Sequence, residues 1–170
     1  MFISRRICGS ELTISVHTME VPMICSAVAI WRGGPAAGEG SVTTSSGVIT
    51  NALYSFGSGT GNEPCTSPSE MLAAAVASCA SLMVTQEMAK AGLREESVRT
   101  EAVLTLAEKR ERWEITDIHL TVTSSVPESD AEKFAHAAKI AKSRCPISRA
   151  LKVPIKLTTR LQPIMHPAAA

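Results

Sequence analysis

Cys79 lies inside a long apolar run, and Cys145 stands directly before Pro146. The cysteine thiolate is a nucleophile, so two thiols of unlike exposure, if brought together, form a couple that accepts oxidation on one sulfur and resolves it as a disulfide. Taken alone, each has a plainer reading, Cys79 as core filler and Cys145 as a helix-end residue. The question is whether the fold joins them. Cys8, Cys25 and Cys65 bring the total to five, an odd number without close spacing. That argues against a secreted disulfide framework and for reduced thiols. No Cys-x-x-Cys or His-x-x-x-His spacing occurs, and His17, His119, His136 and His166 are scattered, so no metal site is expected.

The elements that must position the two sulfurs are legible from pattern. Ser67-Pro68-Ser69-Glu70 combines a capping serine, a proline at the first helical position and an acid three residues after the cap, which starts a helix running to about Ala91. Between Leu72 and Val84 it has little polar face, so it must be buried all round, with Lys90 and Gly92 as last-turn cation and stop. At about 1.5 Å per residue it spans roughly 36 Å, more than so small a subunit can wrap alone, and an intimate dimer is expected. Before it, Met23 to Trp31 and two segments between Gly40 and Phe56 read as a β-meander. After it, Val98 to Ala107 and Trp113 to Val126 alternate apolar and polar residues as a hairpin. Ser129-Asp130-Ala131-Glu132 repeats the capping-box pattern ahead of a helix carrying Phe134, Ala135, Ala138 and Ala141 and ending near Arg144. Pro146 then opens a short helical segment through Lys152, which puts Cys145 where partial positive charge favours a thiolate. Ile155 to Leu161 closes with a strand.

The 170 residues, 45% of them hydrophobic, suit one well-buried core. Residues 1–22 read as an N-terminal arm, 23–162 as the domain and 163–170 as a tail. With 17 basic and 16 acidic residues the net charge is +1, too weak a field to draw the chain onto nucleic acid or an anionic membrane. No uninterrupted apolar run reaches membrane length and no signal-peptide pattern opens the chain, so a soluble cytoplasmic protein is expected.

Two segments in register resemble a known family. Thr66-Ser67-Pro68-Ser69-Glu70-Met71-Leu72, continued by alanine-rich sequence to Ser78-Cys79, is similar to the first-cysteine helix of the OsmC/Ohr organic hydroperoxide reductases. Cys145-Pro146-Ile147-Ser148-Arg149-Ala150-Leu151 resembles the second-cysteine motif of that family. The likeness runs from about Ile24 to Leu161 and includes Gly40-Ser41-Val42-Thr43-Thr44 and Asp117-Ile118-His119-Leu120.

The resemblance implies an α+β, OsmC-like fold, with β hairpins or sheets around two long central helices, in an intertwined homodimer with a dithiol site at the subunit interface. It makes Cys79 the peroxidatic cysteine, oxidised by an organic hydroperoxide to a sulfenic acid, and Cys145 the resolving cysteine. An external dithiol of lipoyl or thioredoxin type would reopen the disulfide, and no cofactor is implied. Val76 and Met83 would supply apolar walls that favour alkyl or lipid hydroperoxides. The family typically activates its thiolate with an arginine paired to a glutamate. Here Ser69 stands where that glutamate usually follows the proline, Gly59 occupies one expected arginine position, and Arg32 and Glu70 are the candidates that remain. This departure supports a second reading, an OsmC-like ligand-binding or thiol-carrier protein without efficient peroxidase activity.

Overall fold

The computed structural model describes residues 22–34, 38–55, 65–94 and 97–162; all but the last residue of the expected arm at 1–22, the tail at 163–170, Cys8 and Gly59 lie outside them. Strands β1 (Ala27–Arg32), β2 (Glu39–Thr44) and β3 (Ala52–Tyr54) form an antiparallel meander in the order β1-β2-β3. Helix α1 (Pro68–Lys90) follows, then the hairpin β4 (Val98–Lys109) and β5 (Arg112–Ser124), helices α2 (Ala131–Arg144) and α3 (Pro146–Ala150), and strand β6 (Ile155–Leu161). The second sheet runs β4-β5-β6. β6 lies parallel to β5, which requires a crossover, and α2 with α3 provides it. The class is α+β, as expected.

The capping box on α1 forms in full. Glu70 N–H donates to Ser67 Oγ at 3.2 Å, while Ser67 N–H and Thr66 Oγ1 each donate to Glu70 Oε2 at 3.0 Å. The second expected box does not form. Pro127 launches a 3-10 turn over Glu128–Asp130, so Ser129 is already inside a turn and α2 begins at Ala131 without a side-chain cap. Asp130 instead accepts from Lys133 at 2.9 Å.

β5 is the centre of the second sheet, and its alternation buries Ile118, Leu120 and Val122 on one face. The first half of α1, through Val76 and Ala80, packs on Ile118 and Leu120 together with Ile147, Leu151 and Ile155. Its second half, through Val84 and Met88, packs with Val122, Phe134, Ala137, Ala138 and Ala141. By length and composition α1 could cross a bilayer, yet it lies against α2 and β4.

The expectation that α1 is buried all round does not hold within one subunit. Only Val76, Ala80, Val84, Glu87 and Met88 are buried, and Leu82 is 65% exposed, because α2 and the second sheet cover a single face. The first sheet is still less covered. All six β1 residues are exposed, including Val28, Ile30 and Trp31, and the sheet joins the rest of the chain through a bridge between Tyr54 and Thr66. Trp31 and Tyr54 meet across Gly40, with ring centroids 5.9 Å apart; a Cβ on Gly40 would come within 2.5 Å of the Tyr54 ring.

Replacing Ser67 by alanine leaves the Glu70 amide without its acceptor and should destabilise the fold by about 1 kcal/mol. A urea titration should show a lower midpoint at unchanged slope; an unshifted midpoint would remove the cap from the stabilising contacts.

Candidate active site

Cys145 is both the residue that ends α2 and the one that caps α3. The residue before a proline is pushed out of the helical region, and Cys145 accordingly takes φ −61° and ψ 118° ahead of Pro146. That break redirects its side chain. Cys145 Sγ accepts from the Ser148 N–H at 3.5 Å, and it lies 2.9 Å from Cys79 Sγ, a hydrogen-bonded pair of free thiols. In sequence Cys145 falls between Ala141, in one core cluster, and Ile147, on the other, while Cys79 falls between Val76 and Ala80 of the cluster that Ile147 joins. The two sulfurs therefore meet at the α3 end of that cluster. Cys145 is fully buried and Cys79 only partly so.

The pair's protons are unequally held. Burial pushes the Cys79 thiol up, and its hydrogen bond with Cys145 adds to that, against a weaker opposing bond with the Ile147 backbone. Burial also pushes Cys145 up, but its hydrogen bond with Cys79, the nearby Ser148 hydroxyl, and the Ser148 and Ile147 backbone groups outweigh it and bring that thiol below its ordinary value.

Neither expected activating group acts on either sulfur in this subunit. Glu70 is held in the capping box and sits nine residues, about 13 Å of helical rise, before Cys79. Arg32 is exposed at the end of β1, opposite Glu39. Arg144, next to Cys145, reaches instead to Glu87 Oε1 at 3.2 Å, and Lys90 binds the same oxygen at 2.6 Å. The Lys90 hydrogen bond first, and the charges of Lys90 and Arg144 after it, hold the Glu87 carboxyl below its usual value despite burial. Glu87 thereby ties the end of α2 to α1 close to the cysteine junction.

Val76 and Met83, expected as apolar walls around Cys79, differ in their burial. Val76 is fully enclosed against β5, so it backs α1 without presenting surface to a ligand, and Met83 is partly buried against the second cluster. Cys65 Sγ contacts Ser55 Oγ at 3.3 Å, and Cys25 is exposed. His119 pairs through Nε2 with Thr158 Oγ1 at 2.8 Å on the outer sheet face. No group of three or more His, Cys, Asp or Glu suited to a metal occurs among the described residues.

Ser148 was not singled out from the sequence as a functional residue. Its place three residues after a cysteine that precedes proline was the available signal, since the third residue of a helix offers its amide to the cap.

A family model described as OsmC-like protein matches residues 59–160. The chain belongs to the OsmC-like family. Peroxiredoxin OsmC of Escherichia coli is 34% identical over 132 residues, covering 78% of this chain and 92% of that protein. Among solved structures, an OsmC-like protein of unknown function from Vibrio cholerae superposes with a TM-score of 0.66 at 17% identity, covering 83% of this chain and all of its own (100%). The organic hydroperoxide resistance protein OhrB of Bacillus subtilis gives a TM-score of 0.60 at 20% identity, over 81% of this chain and 98% of that one. At those identities the two structures establish the OsmC/Ohr fold.

Replacing Cys145 by alanine removes both the hydrogen bond and the charge that raise Cys79. The pH midpoint for alkylation of Cys79 by iodoacetamide should therefore fall relative to wild type. A midpoint that rises or stays fixed would contradict the described coupling, whatever the change in overall rate.

Proposed function

We propose that the protein is a thiol-dependent peroxidase that reduces organic hydroperoxides through Cys79 and Cys145. The observation that carries this reading is the 2.9 Å separation of the two free sulfurs. Cys79 as thiolate attacks one oxygen of the hydroperoxide; the O–O bond breaks, the alcohol leaves with a proton, and Cys79 becomes a sulfenic acid. Cys145 Sγ then attacks Cys79 Sγ, water departs, and a disulfide remains for an external dithiol of lipoyl or thioredoxin type to reduce. The exposure of the sulfurs fits these roles, since a peroxide can reach Cys79, whereas Cys145 is enclosed beside it. The E. coli relative named a peroxiredoxin and the B. subtilis neighbour named for organic hydroperoxide resistance add support. Free cysteines of this kind suit a reducing cytoplasm.

The active form in this proposal is a homodimer. A three-stranded sheet is marginal without a covered face, and β1 to β3 leave apolar residues exposed, as does Leu82 on α1. A second copy laid over these surfaces would complete the core and could bring Arg32 of the first sheet to the cysteine pair. Such a cation would favour the Cys79 thiolate. The apolar wall for an alkyl or lipid hydroperoxide would then include Met83 and groups from the second subunit, with Val76 behind them.

One observation favours a second reading, a ligand-binding or thiol-carrier protein: no cation among the described residues acts on either sulfur. Stoichiometric cumene hydroperoxide separates the two. The peroxidase should lose two thiols rapidly, with an intact-mass decrease of two hydrogens. Cys79→Ser should abolish the reaction, and Cys145→Ser should stop at a sulfenic acid that dimedone traps. Thiols unchanged after prolonged exposure would support the carrier. Sedimentation should show a dimer at micromolar concentration, and a monomer would leave the first sheet without its proposed cover.

A further inference from the structure

Ser148 is the third residue of α3 and only 9% exposed; its hydroxyl oxygen is buried and has no hydrogen-bond partner among the described residues. A buried hydroxyl left unpaired has given up its water without a replacement partner, so its presence calls for a use. Its neighbour is the Cys145 sulfur. The Ser148 N–H donates to that sulfur at 3.5 Å, and the hydroxyl, though not in a formed hydrogen bond, lies close enough to favour negative charge there. The donor becomes fully engaged only when Cys145 carries a whole charge. Access to the two sulfurs is also unequal, since Cys145 is fully buried and Cys79 retains surface.

Resting on the peroxidase reading above, we propose that Ser148, through its N–H and its hydroxyl, stabilises Cys145 as the leaving thiolate when an external dithiol reduces the Cys79–Cys145 disulfide. Reduction then runs in one direction, through a mixed disulfide on Cys79. A thiolate of the dithiol attacks Cys79 Sγ; the new S–S bond forms as the bond to Cys145 breaks, and the electron pair leaves on Cys145 Sγ. The second sulfur of the dithiol, as thiolate, attacks the dithiol sulfur bound to Cys79, closes the oxidised dithiol as a cyclic disulfide and releases Cys79. The two protons of the dithiol end on the protein's two cysteines. Attack at Cys145 instead would require the nucleophile to enter the core and would leave the charge on a sulfur without these donors.

The test begins from disulfide made with diamide, which does not depend on peroxide chemistry, in wild type, Ser148→Ala and Ser148→Thr. Reduction by dithiothreitol should be about tenfold slower in Ser148→Ala, the loss expected for one hydrogen bond to a charged group. Ser148→Thr keeps the hydroxyl and should recover most of the rate. Thermal stability of reduced Ser148→Ala should be equal or higher, because an unpaired polar atom has been removed. In wild type treated with glutathione, quenched and mapped by mass spectrometry, the adduct should sit on Cys79. A wild-type reduction rate in Ser148→Ala, or an adduct on Cys145, overturns the inference and leaves the peroxidase reading standing. Failure of wild type to form the disulfide overturns both.

Discussion

The contact between Cys79 and Cys145 joins residues 66 apart in sequence, and the rest of the subunit can be understood as what holds that contact in place. Closing a loop of that length costs on the order of 4 kcal/mol in chain entropy. Two sulfurs alone cannot offset this in the reduced state, where their bond is a weak thiol hydrogen bond. The opposing contribution comes from α1 packing on β5 at one end and on α2 at the other, with Phe134, Met88 and Val84 among the fully enclosed side chains. At roughly 25 cal/mol per Å² of buried apolar surface, each such side chain contributes about 1.5–3 kcal/mol, so a few of them outweigh the closure. The thiols are consequently held together before any bond forms between them.

Proline decides how they are held. If α2 continued through residue 145, its side chain would follow the helix surface and its amide would be one more rung. Pro146 forbids that, and Cys145 becomes an extended hinge whose sulfur faces the amides of the following turn. This much was legible in the sequence, since Cys-Pro at the end of an apolar helical stripe forces a break, and Ser67 to Glu70 similarly announces the start of α1. The long alternation of β5 placed Ile118, Leu120 and Val122 on one face for the same local reason. What stayed hidden depends on contacts between distant segments. α1 is apolar on nearly every side, so its pattern could not say that Val76 faces β5 while Leu82 faces out. Ser129 to Glu132 matched a capping box, but the turn started by Pro127 used those residues first. Glu87 looked like an ordinary acid in a helix until Arg144 arrived from α2.

Electrostatically, the site uses backbone dipoles where a cation was expected. The Ile147 backbone acts on both sulfurs, whereas the Ser148 amide, fixed by α3, acts over the last few ångströms on Cys145 alone and so discriminates between two sulfurs 2.9 Å apart. A guanidinium would act over a longer range and shift both thiols together, favouring whichever it approached more closely. These two devices suit different halves of a redox cycle. Fixed donors on the enclosed sulfur favour its departure, whereas a mobile or intersubunit cation near the accessible sulfur would favour its attack.

The uncovered surfaces bear on the same point. Every β1 residue is exposed, and Leu82 lies on the side of α1 left uncovered by α2 and β4. The described subunit thus has a finished core behind its sulfurs and an unfinished one in front. A second copy supplying the missing side would close over Cys79 without disturbing Cys145, which is already fully buried. Access to the pair and its charge would then both be set at the boundary between subunits, while the geometry of the sulfurs themselves remained a property of the single chain.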